Sequence, residues 1–136
     1  MNAVAGTGAR IMGPALTWFA VLGGAAAWSV LTLAVWGLNE LVCGEGAAET
    51  GPDLLGLPFV PVAAVITAAC AVTAAAAGLA AWRLLGLARS AGDRLPEHRA
   101  GRLKFMAAVG LGSDLLHLAI ILYVGVALVF FGPCIR

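Results

Sequence analysis

The stretch GSDLLHLAIILY, residues 112–123, sets Asp114 and His117 three positions apart within an otherwise apolar run. On a helix an i,i+3 pair shares one face, and Ser113 reaches His117 at i+4. An intramembrane carboxyl and imidazole suit three uses: a hydrogen-bonded packing layer, docking of a neighbouring subunit, or a proton or metal relay. A zinc or copper centre asks for three or four ligands, and this face offers two. A haem iron held by His117 would take its second axial ligand from another chain.

Other chemistry is not signalled. There is no Gly-rich phosphate loop, Ser/His/Asp set, CxxC, HExxH or CxxCH pattern. His98, in the basic stretch 83–104, has no nucleophile–base arrangement around it and reads as a solvated residue. The expectation is a chain that is not an enzyme, with no resident cofactor, no metal site and no soluble substrate. A net charge of +1 gives no case for nucleic-acid binding.

The elements that must position Asp114 and His117 follow from composition. The 136 residues are 62% hydrophobic and 11% charged. Soluble domains run about 45–50% apolar and about 25% charged, and a fold of this size buries only ~70% of its chain's surface. The class is integral membrane protein. Ile11–Asn39 and Leu54–Trp82 are uncharged, and the run from Lys104 to Ile135 is broken only by Asp114 and the titratable His117. About 20 helical residues cross ~30 Å of hydrocarbon, and none of the runs shows the alternation of a barrel strand. The expectation is an all-α fold: one domain, residues 1–136, with three transmembrane helices at about 14–41, 57–86 and 103–131. Residues 42–56 form the outer loop and 87–102 the basic cytoplasmic loop. GGAAAW after Leu22 resembles a signal-peptide cleavage region, but the equally apolar WSVLTLAVWGL that follows favours one long span.

Arg83, Arg89, Arg94, Arg99, Arg102 and Lys104 flank or fill the second loop, whereas the first holds Glu45, Glu49 and Asp53 and no basic residue. The positive-inside rule places the second loop and the N-terminus inside and the C-terminus outside. Trp18 and Trp82 then fall near the inner interface and Trp36 near the outer one. The location expected is a bacterial inner membrane, multi-pass. Cys43 and Cys134 share the outer, oxidising side, so a disulfide between them is expected over a thiol pair for Cu(I). Cys70, mid-span, reads as small apolar filler.

Helices in lipid associate through close backbone approach at small residues. The spacing of Ala64, Ala68, Ala71, Ala75 and Gly78 predicts such a stripe on the second span, and Gly23, Gly24 and Ala27 one on the first. Gly110 and Gly125 share the stripe of Asp114 and His117. Counting ~1.5 Å per residue puts Asp114 ~17 Å and His117 ~21 Å from Leu103. Trp28 lies ~21 Å beyond Pro14 and Thr73 ~20 Å from Gly86. The expectation is an intramembrane polar layer of Trp28, Thr73, Asp114 and His117.

The chain also resembles small three-span membrane proteins encoded near bacterial haem-copper cytochrome c oxidase and its assembly factors. The resemblance lies in GPALTW (residues 13–18), Glu40 and Cys43 in NELVCG, AAWRLLG, FMAAVGLGS from Phe105, and the closing Pro133 and Cys134. Asp114 and His117 depart from that pattern, which has apolar residues there. The resemblance implies a non-catalytic accessory or assembly role around a respiratory oxidase or electron-transfer complex, partnered by its other membrane subunits. A small oligomeric proton- or ion-coupled carrier using Asp114 and His117 is the alternative from a different class, and a holin-like pore former is a third.

Overall fold

The computed structural model describes residues 14–43, 53–54, 57–90 and 97–131. Helix α1 runs Pro14–Cys43, α2 Phe59–Ser90 and α3 Glu97–Phe131; the two-residue strands β1 (Asp53–Leu54) and β2 (Leu57–Pro58) precede α2. The strands pair antiparallel, Asp53 opposite Pro58 and Leu54 opposite Leu57. The architecture is all-α, and all three helices are long and apolar enough to cross a membrane.

Pro14 opens α1 and Pro61 sits in the first turn of α2, where a backbone N–H has no intrahelical acceptor to lose. The helices overrun the expected second loop at both ends. Arg83 and Arg89 ride on α2, and Arg99, Arg102 and Lys104 on α3; Arg94 lies outside the described residues. Ala, Leu, Arg and Glu are good helix formers, so the hydrogen-bonded ladder continues beyond the apolar length. Arg89 also stands in the last turn of α2, where a cation meets the negative end of the helix dipole.

The buried face of α2 comprises Ala63, Thr67, Cys70, Ala74, Ala77, Ala81, Leu84 and Ala88, at alternating four- and three-residue steps. The expected stripe lies one residue further along. Ala64, Ala68 and Ala75 are exposed and Ala71 half-buried, and only Gly78 of that set is buried. Adjacent positions are ~100° apart on a helix, so the two stripes face different neighbours. The seam inside the bundle took the set containing Thr67 and Cys70, and the smoother set faces outward.

The core is stacked in three storeys. Ala20, Ala81, Leu84, Leu85 and Ala107 pack at one end; Ala27, Leu31, Cys70, Ala74 and Ile121 form the middle; Val42, Phe59 and Ala63 close the other end. Cys70 is a buried free cysteine in the middle storey. Beside it Thr67 donates its hydroxyl proton to the Ala63 carbonyl, 2.8 Å away, and turns its methyl to Gly125. Large apolar side chains cover the outside, among them Trp18, Trp36 and Trp82, each more than half exposed. That is the surface expected of a protein solvated by lipid.

A polar site between the first two storeys

Asp114 is 1% exposed, one of the largest fully buried side chains in the bundle. It lies level with Gly24 of α1 and Gly78 of α2, between the first two storeys of the core. The Gly24 N–H donates to Asp114 Oδ1 at 2.8 Å. In a regular helix that N–H serves the carbonyl of Ala20. The Ala20 carbonyl in turn lies against Gly110 of α3, one turn before Asp114. One turn of α1 is thus gripped by one turn of α3: a carboxyl oxygen takes its N–H, and a glycine makes room for its carbonyl.

Close approach makes the grip possible. A Cβ on Gly24 would sit 2.6 Å from Asp114 Oδ1 and 2.8 Å from its Cα. A Cβ on Gly110 would strike the Ala20 carbonyl oxygen and lie 3.1 Å from Val21 Cα. Backbone cannot swing aside as a flexible side chain can, so both positions require glycine. In lipid, where apolar burial drives little association, this backbone-to-carboxyl link is a specific tie between two helices.

The second carboxyl oxygen is different. Oδ2 is buried and lacks a hydrogen-bond partner. It belongs to a residue that also lines a groove between α2 and α3, with Ala75, Gly78, Leu79 and Leu115.

His117 stands one turn beyond Asp114 and is half-buried. Its Nδ1 lies 2.7 Å from the Ser113 carbonyl and 3.3 Å from the Ser113 hydroxyl. A carbonyl only accepts, so Nδ1 is the donor in that contact. The ring meets Trp28 with centroids 5.7 Å apart and planes tilted by 52°.

Of the four residues expected to share a layer, Trp28 and His117 are therefore in contact, and Asp114 sits on the same face one turn below. Thr73 is the correction. It is exposed, and its hydroxyl donates to the Ala69 carbonyl of its own helix at 2.9 Å. It precedes the buried Ala74 by one residue and so points away from the bundle. Ser29 and Thr32 on α1 satisfy themselves in the same way, on Ala25 and Trp28. Thr73→Val is accordingly expected to change stability by less than about 0.5 kcal/mol. A larger loss in detergent unfolding would place the hydroxyl in a contact it does not make here.

Depth counting did not find Gly24, the true partner of Asp114. The donor is a backbone N–H, which every residue but proline carries. The only sequence signal was the Gly23–Gly24 pair at the depth of an unexplained carboxylate. Among the described residues no three His, Cys, Asp or Glu side chains come together as a metal site.

No family model, curated protein or solved structure matches the chain. The fold defines a multi-pass membrane protein, with three helices among the described residues long and apolar enough to cross the bilayer.

Proposed function

We propose that the chain is a non-catalytic accessory or assembly subunit of a larger complex in a bacterial inner membrane, with the N-terminus inside. The observation that carries this reading is the use made of Asp114. One oxygen ties α3 to the backbone of α1, which is the work of a structural residue, while the smooth stripe of α2 is left facing outward. The resemblance narrows the complex to a respiratory oxidase or related electron-transfer assembly. Affinity purification of the tagged chain from native membranes in mild detergent tests this. Integral-membrane partners should be recovered in fixed ratio together with a haem spectrum. Recovery of the chain without any membrane partner would defeat the reading.

The carrier alternative is favoured by one observation, the unpartnered Oδ2 of Asp114 beside His117. It requires a titratable group at position 114, so Asp114→Asn separates the two readings, as argued below.

A disulfide between Cys43 and Cys134 belongs to the same proposal, as a staple from α1 to the segment after α3. One fact supports it: Cys70 is a free cysteine buried within the bundle, among the described residues. Cys134 lies outside the described residues. Alkylation of unreduced, denatured protein is expected to modify Cys70 alone by mass spectrometry. Modification of Cys43 and Cys134 without reductant would remove the staple from the proposal.

A further inference from the structure

We infer that the seam between α2 and α3 is the seat of a transmembrane helix from a different protein, one that offers a hydroxyl or carboxamide side chain to Asp114. The inference rests on the subunit reading above and names the face through which that subunit joins its complex.

The seam is a groove with two lobes, of about 350 and 220 Å³. Its α2 wall is the outward stripe of Ala64, Ala68, Ala71 and Ala75, continuing through Gly78 to Trp82. Its α3 wall is built from leucine and valine, with Leu115, Leu118, Leu122 and Val126 at successive turns. From Ala64 to Trp82 the groove runs ~27 Å at 1.5 Å per residue, close to the thickness of the hydrocarbon. A small-residue α2 face beside a branched apolar α3 wall accepts the side-chain ridge of another helix.

Asp114 supplies the independent sign that something polar comes here. It lines the inner lobe, it is 1% exposed, and its Oδ2 has no partner. Lipid tails carry no hydrogen-bonding group, so acyl chains in the groove would leave this oxygen as it is. The chemistry of the missing partner follows from the other oxygen. Oδ1 accepts from Gly24, so an ionised carboxylate would offer Oδ2 as an acceptor, and a neutral acid would carry its proton on Oδ2 and donate. A Ser or Thr hydroxyl, or an Asn or Gln amide, answers both cases. Oδ2 is covered in the chain alone, so an incoming side chain displaces part of the groove lining, of which Leu79 and Leu115 are exposed.

A second copy of the chain does not meet the requirement. Copies inserted in the same direction are related about an axis along the membrane normal, which sets equal depths opposite each other. At the depth of Asp114 the groove's flanks carry Ala75, Leu79, Leu111 and Leu115, none of which hydrogen-bonds through its side chain. Ser113 is ~1.5 Å from Asp114 in depth, but its hydroxyl is engaged 3.3 Å from His117 Nδ1 of its own helix. Thr73 is five residues from Gly78, ~7.5 Å away in depth, and Ser29 is as far from Gly24. The occupant is a different chain.

A photoreactive benzoylphenylalanine placed at Ala68 or at Leu79, one in each lobe, tests this in the full chain in its native membrane. Leu33 on the lipid-facing side of α1 serves as the control position. The expected result is an adduct from both groove positions and none from Leu33. Its partner peptide should be a membrane span with Ser, Thr, Asn or Gln at mid-depth. Ala75→Trp, which fills the groove from its α2 face, should lower the adduct at least tenfold while the chain still accumulates. Adducts with lipid alone, with a second copy, or equally from Leu33 would each overturn the groove assignment. The outcomes also separate this inference from the subunit reading. A chain that co-purifies with membrane partners yet cross-links only to lipid from the groove keeps its complex and loses this face. A chain that co-purifies with nothing loses both.

Discussion

Gly24→Ala is expected to destabilise the bundle by about 2 kcal/mol or more, although alanine is the better helix former. The propensity gain is at most ~1 kcal/mol. Against it stand two larger costs. The new methyl would lie 2.8 Å from the Cα of Asp114, so α1 and α3 must separate, and overpacking of this kind costs ~1–3 kcal/mol. Separation also breaks the Gly24–Asp114 hydrogen bond, leaving a second buried carboxyl oxygen unpaired at ~1–3 kcal/mol. Gly112→Ala provides the matched control on α3, because a Cβ there meets nothing within 4 Å. It should be neutral or slightly stabilising. Unfolding of both variants in a detergent series measures the difference, and equal stability would mean the crossing is not as close as described.

The second large effect concerns Asp114 itself. Asp114→Asn keeps a carbonyl oxygen for the Gly24 N–H and an amide where Oδ2 stood, so the grip on α1 survives. Asp114→Leu removes the acceptor and sets a branched side chain against Gly24 and Gly78. Hydrogen bonds between membrane helices are worth ~0.6–1.7 kcal/mol, roughly a threefold to twentyfold change in an equilibrium. Overpacking adds to that for leucine. The expected order in folded yield is therefore wild type close to Asp114→Asn, with Asp114→Leu well below. A proton carrier demands a different pattern, because an amide does not titrate: Asp114→Asn would fold normally and lose all flux. Yield and proton flux in liposomes, measured on the same preparations, distinguish a structural carboxyl from a transporting one.

Much of this fold is legible in the sequence because the bilayer leaves few choices. Long uncharged runs have to satisfy their backbone internally, so each becomes a helix of roughly the run's own length. The contact between Trp28 and His117 could be reached by counting depth alone. What depth cannot supply is rotation about the helix axis. Thr73 and Ala74 differ by ~1.5 Å in depth but by ~100° in direction, and that step decides which of them is buried. The same step moved the packing seam of α2 from the Ala64 stripe to the Ala63 stripe. Both are small-residue faces at suitable spacing, and the sequence of α2 alone does not rank them. The choice falls to the neighbours. Gly125 receives the Thr67 methyl, and Ile121 packs with Cys70 and Ala74.

The grip of Asp114 on Gly24 was hidden for another reason. Side-chain partners leave residue types to search for, whereas a backbone donor leaves none. Glycine at both Gly24 and Gly110 is the trace of that contact, and it becomes readable only once α1 and α3 are known to cross there.

The most direct test of the subunit role is blue-native electrophoresis of gently solubilised native membranes, followed by a denaturing second dimension and immunodetection of the chain. The expected result is migration within a complex much larger than the chain, lost to a small free form in Ala75→Trp. Migration of the wild-type chain only as a monomer or small homo-oligomer would contradict the account.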